Sequence, residues 1–209
     1  MGTGKSTAAS HFKSALLVYQ QLLHFHPKNA LAYLNLGIIY NAAGDVERSK
    51  MFYLKSINLD PSNAKPYFNL GYIAETAGEL KDALMYYEKS IEKDSNQSEA
   101  YYNMGNVYAR LGQEPEAMAS YLKTIALDKN HQNAYVNLSI LSFKSRDFLG
   151  AIHYLEEARM LGYNAPAEYL KSLGEDIYKD VKTEIVRTEV TNSLDFTKFE
   201  VIEPSCINN

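Results

Sequence analysis

Three groups of residues have types and spacings that could do chemistry. The first is Gly4-Lys5-Ser6-Thr7 in the opening MGTGKST, which matches the end of a phosphate-binding loop. Such a loop aims successive backbone N–H groups at phosphate, with Lys adding a point charge and Ser or Thr holding magnesium. The full spacing GxxxxGK[ST] calls for a glycine five residues before Gly4 and a buried strand ahead of it, and the sequence begins at Met1. Nucleotide binding is therefore the remote reading. The second group is histidine. His24 and His26 point in different directions on a helix and flank a junction, His131 falls at another junction, and His153 lies elsewhere, so no third metal ligand is implied. Cys206 is the only cysteine, which excludes an intramolecular disulfide and a thiolate cluster. No activated nucleophile is present, so the expectation is a non-enzyme with neither metal nor cofactor. The third group is Asn35, Asn69, Asn103 and Asn137, spaced 34 residues apart. Asn is a mediocre helix former because its amide competes with the backbone, so four of them at one period need a reason. A primary amide offers a donor and an acceptor together, and can pair with both the C=O and N–H of an extended peptide whatever that peptide's side chains.

The asparagines belong to a longer repeat. Stretches from Ala30, Ala64, Ser98 and Gln132 align without a gap at a period of 34. Tyr33, Tyr67, Tyr101 and Tyr135 take the fourth place, Leu36, Leu70, Met104 and Leu138 the seventh, and Gly37, Gly71, Gly105 and Ser139 the eighth. Gly44, Gly78 and Gly112 mark a turn, and Tyr53, Tyr87, Tyr121 and Leu155 recur beyond it. Large and small residues alternate at helical spacing, so aromatic knobs of one helix can sit where small residues of its partner let two backbones approach. Each repeat then reads as an antiparallel helix pair, and Pro27 and Pro61 break the chain between pairs. Arg146 stands at the turn glycine's place in the last unit, which makes that unit the least regular, as at the end of a stack.

These residues resemble the tetratricopeptide repeat family over about 140 residues. The resemblance implies an all-α, right-handed superhelical solenoid whose first helices line a concave face. The expected division is a truncated helix remnant over 1–9, the second half of a repeat over 10–29, and full repeats over 30–63, 64–97, 98–131 and 132–165. A capping helix over 166–182 and an acidic tail over 183–209 follow. The natural array is expected to extend further toward the N-terminus. The asparagines resemble the ladder of peptide-binding members such as the repeat region of the O-linked N-acetylglucosamine transferase, with no transferase domain implied here. Lys65 with Asn69 and Asn103 also fits part of the carboxylate clamp of chaperone-binding members, but Asn137 stands where that clamp wants a basic residue.

Beside the ladder, the fifth and ninth places supply inner-face candidates. Leu34, Phe68, Tyr102 and Val136 occupy one, and Ile38, Tyr72, Asn106 and Ile140 the other. Aromatics there would anchor a ligand while the amides hold its backbone. Arg110 and Lys144 would add positive charge toward the C-terminal end. The net charge of −4 argues against a nucleic-acid partner. Residues 175–209 hold eight acidic and four basic side chains, leaving the rest neutral. Phe196 and Phe199 lie among these acids, and docking of this tail in the groove is a further expectation. No apolar run nears the roughly 20 residues of a membrane-spanning helix, so membrane insertion is not expected and a cytoplasmic setting is. The expected function is a scaffold binding a protein or peptide segment. The rival reading is a homo-oligomer whose groove holds another copy or its own tail.

Overall fold

The computed structural model describes residues 3–176, and all regular structure among them is helical. In chain order the helices are α1 (Thr3–Phe25), α2 (Ala30–Ala42), α3 (Val46–Leu59), α4 (Ala64–Ala77), α5 (Leu80–Lys93), α6 (Ser98–Arg110), α7 (Glu114–Leu127), α8 (Gln132–Lys144) and α9 (Phe148–Met160). A further helix, α10, covers 167–176. Helices pair as α2 with α3, α4 with α5 and α6 with α7 in one compact unit, and as α8 with α9 in a second that begins at Asn130. In the first unit α1 packs on α2, α3 on α4 and α5 on α6, so successive pairs share their faces.

Local chemistry sets the helix ends. Asn29, Asp45, Asn63 and Asp147 accept backbone N–H bonds at the starts of α2, α3, α4 and α9. His131 does the same for α8, its Nδ1 accepting from the Ala134 amide at 3.2 Å, so this histidine is a cap. Gly78 ends α4 in the left-handed conformation with φ of 80°, where a side chain costs energy. Arg146 adopts the same conformation at the equivalent place, with φ of 63°. The turn geometry is thus kept even where the glycine is lost.

Within each pair of the first unit a tyrosine ring lies flat against a glycine. A Cβ placed on Gly37, Gly71 or Gly105 would come within 2.5–2.7 Å of the ring of Tyr53, Tyr87 or Tyr121. The expected knob and gap are these residues. Ser139 and Leu155 replace them together in the α8–α9 pair, since a serine Cβ leaves no room for a ring. Buried hydroxyls then tie the chain: Ser56 Oγ donates to Ala30 O at 2.9 Å and Ser90 Oγ to Ala64 O at 3.0 Å, joining the end of each second helix to the start of its first.

Two expectations meet the structure differently. Residues 4–7 lie inside α1, whose backbone is helical from Thr3, so they do not form the loop that phosphate binding needs. The junction expected between residues 9 and 10 is not a helix boundary, because α1 runs through it to Phe25. The tail over 183–209 lies outside the described residues.

Candidate functional site

On a helix, places two, six and nine of the repeat fall on one face. In α2 these are Leu31, Asn35 and Ile38. In α4 they are Lys65, Asn69 and Tyr72, and in α6 Glu99, Asn103 and Asn106. Leu31, at 59% exposure, Ile38, at 44%, and Tyr72, at 49%, are large apolar side chains left in solvent beside the asparagines. The asparagines themselves are half-buried. Among the described residues no hydrogen bond uses the side chain of Asn35 or Asn69. Each amide therefore leaves its donor and acceptor unused among the described residues. Lys65 is exposed at the N-terminal end of α4.

The third repeat differs, because its polar groups are joined to the second. Tyr87 on α5 donates its hydroxyl proton to Glu75 Oε2 of α4 at 2.7 Å, and the Asn103 side chain is a polar neighbour of the same hydroxyl. Arg110 Nη1 donates to Glu75 O at 3.1 Å and approaches Glu75 Oε1 at 3.9 Å. Burial pushes the Tyr87 hydroxyl far above the ordinary tyrosine range, the neighbouring Glu75 carboxylate raises it further, and Asn103 opposes the shift. Tyr121 donates to Asn106 Oδ1 at 2.9 Å in the same way. Glu75 escapes a sequence reading that assigns acids to outer faces. The signal for it was Arg110, 35 residues on, one repeat period plus one.

The fifth place is a packing position. Leu34 is 1% exposed and packs with Tyr53, because the side chain points toward its own partner helix. Phe68 packs at a tilt against Tyr87 with ring centroids 5.7 Å apart, and Tyr102 likewise against Tyr121 at 5.8 Å. The Phe68 and Tyr102 rings are half-buried. In the second unit Asn137 is half-buried and already engaged by a neighbour, while Ile140 and Lys144 are exposed on α8. Leu31, overlooked in the sequence, was marked only by lying four residues before Asn35.

Among the described residues no group of three His, Cys, Asp or Glu side chains could hold a metal ion, and no helix is long and apolar enough to cross a membrane. What the exposed face offers is a row of amides flanked by hydrocarbon.

A family model described as tetratricopeptide repeat matches residues 18–51, 52–85 and 86–119. Among solved structures the chain is similar to MamA, with 25% identity over 77% of this chain and 95% of that one and a TM-score of 0.66. It is similar to PilF of Pseudomonas aeruginosa, with 18% identity over 85% and 81% of the two chains and a TM-score of 0.70. It is also similar to YrrB, described as a TPR protein with an unusual peptide-binding site, with 22% identity over 75% and 80% and a TM-score of 0.60. At 18% and 22% the likeness is one of fold. No curated protein matches the chain.

Proposed function

We propose that this chain, which carries tetratricopeptide repeats over residues 18–119, works as an interaction scaffold by holding an extended peptide segment of a protein partner along the first-helix face of α2, α4 and α6. The observation that carries this reading is the pair of asparagines, Asn35 and Asn69, one repeat apart, with unpaired amides between exposed Leu31, Ile38 and Tyr72. Each amide would bond the peptide's C=O and N–H, and the apolar side chains would take its alternate residues. Arg110, already bonded to Glu75, and Asn103, a polar neighbour of the Tyr87 hydroxyl, would shape the far wall instead of gripping the ligand first. YrrB, similar in fold, is a TPR protein with a peptide-binding site, which supports a binding role here.

Selection of a random peptide library against wild-type protein, followed by affinity measurement with Asn35→Ala and Asn69→Ala, tests the proposal. Each substitution should weaken the selected peptides by about 1 to 3 kcal/mol, since buried peptide groups lose their bonds. Helicity should be unchanged, because Ala is the best helix former. Peptides that bind both variants as they bind wild type would overturn it.

A further inference from the structure

In the helix pairs of the first unit, the fifth and twenty-fourth places of the repeat fill one another. Leu34 packs with Tyr53, Phe68 with Tyr87 and Tyr102 with Tyr121. The α8–α9 pair has Val136 and Leu155 at these places, so both members are reduced at once. There the structure holds a partly enclosed pocket of about 190 Å³, lined by Val136, Ser139, Ile140, Leu155, Tyr163, Pro166 and Tyr169. Its wall is almost entirely hydrocarbon. The Ser139 hydroxyl is already committed, donating to Ala151 O at 2.7 Å and sharing a 2.8 Å bond with the Tyr169 hydroxyl. An apolar cavity of about 150 Å³ stays dry and accepts benzene, so this volume suits one aromatic ring.

We propose that this pocket is the seat of the chain's own C-terminal segment, with the ring of Phe196 or Phe199 taking the place of the aromatic that the other repeats supply from within. The chain that follows the described residues begins beside the pocket, because α10 carries Tyr169 in the pocket wall and ends the described region at Asp176. Phe196 lies 20 positions beyond Asp176. A linker of that length spans up to roughly 70 Å, whereas α10 itself is only about 15 Å long, so the ring can fold back with slack. A tether of this kind gives an effective concentration of order millimolar, which makes weak seating sufficient. Asp195 and Glu200 flank the rings in sequence, and Lys144 lies one turn beyond Ile140 on α8. A seated tail covers Val136 and Ile140, and it therefore competes with any ligand that uses this part of α8. The inference stands apart from the peptide-holding role of α2, α4 and α6.

Cys206, the only cysteine, lies seven residues after Phe199 and takes a spin label in the full-length protein without mutation. Methyl NMR signals of Val136, Ile140 and Leu155 should lose most of their intensity in the labelled protein. The loss should persist when labelled chains are diluted with unlabelled ones. It should disappear in Phe196→Ala/Phe199→Ala, which leaves the folded helices untouched, and in Val136→Phe, which restores the residue type of Phe68 and fills the pocket. Broadening that is absent, that survives the tail substitutions, or that arises only between different molecules would overturn the proposal.

Discussion

Replacing Gly71 with alanine separates packing from propensity by the sign of its effect. Helix propensity alone predicts that Gly71→Ala in the interior of α4 stabilises by about 1 kcal/mol. The new methyl, however, would lie 2.7 and 2.8 Å from Cδ1 and Cε1 of Tyr87, against an ordinary contact of 3.4 Å or more. The ring has no route of escape. Tyr87 is fully buried, its face meets Phe68 at 5.7 Å, and its hydroxyl donates to Glu75 Oε2 at 2.7 Å. Overpacking costs about 1–3 kcal/mol. Shifting the ring far enough to relieve it breaks a hydrogen bond to a charged group worth about 1.5–3 kcal/mol. Less the propensity gain, either route leaves a net destabilisation of up to about 2 kcal/mol. In a Tyr87→Leu background, which copies the Leu155 of the α8–α9 pair, the same Gly71→Ala change should become neutral or stabilise by about 1 kcal/mol. Urea unfolding followed by far-UV circular dichroism on the four proteins of this cycle gives both numbers. A higher midpoint for Gly71→Ala in the wild-type background would refute the ring-on-glycine account.

Two further outcomes follow from the buried hydroxyls. Burial raises Tyr87 and Tyr53, so the unfolded chain releases those protons near pH 10 while the folded chain retains them. Stability should be complete below that pH and fall as pH rises above it, and Tyr87→Phe should lessen the fall in unfolding midpoints measured between pH 8 and 11. Ser90→Ala should cost about 1–2 kcal/mol in the same unfolding assay, since it leaves Ala64 O without its buried donor.

Most of the architecture was legible because it rests on paired residues that recur together. Gly71 with Tyr87 and Gly105 with Tyr121 each announce a close helix approach, and the 34-residue period announces the stacking. Ser139 with Leu155 was readable as irregular but not as a pocket. That volume arises from two reductions on different helices, plus a wall from Tyr163 and Tyr169, and no single position signals it. The face of the first helices was partly legible. Periodicity put Asn35, Asn69 and Tyr72 at equivalent places of the repeat, but places five and nine lie only one turn apart, and which of them turns toward the partner helix depends on packing. Hence Leu34, Phe68 and Tyr102 read as ligand anchors although their rings and branches serve the core. The commitment of Tyr87 and Arg110 to Glu75 was hidden for a related reason, since it joins α4, α5 and α6 through groups that sequence spacing treats as separate.

The central claim is that the asparagine amides grip a peptide by its backbone, and a cycle between protein and peptide backbone tests this most directly. A library-selected peptide and its derivatives singly N-methylated along the chain would be titrated calorimetrically against wild type and Asn69→Ala. In wild type, methylation of the amide facing Asn69 should weaken binding about tenfold, the equivalent of one hydrogen bond of roughly 1.4 kcal/mol. With Asn69→Ala the same methylation should cost little, because its partner is already gone. Equal losses for the two proteins at every methylated position would contradict the account, since the peptide backbone would then be held by something other than the amide of Asn69.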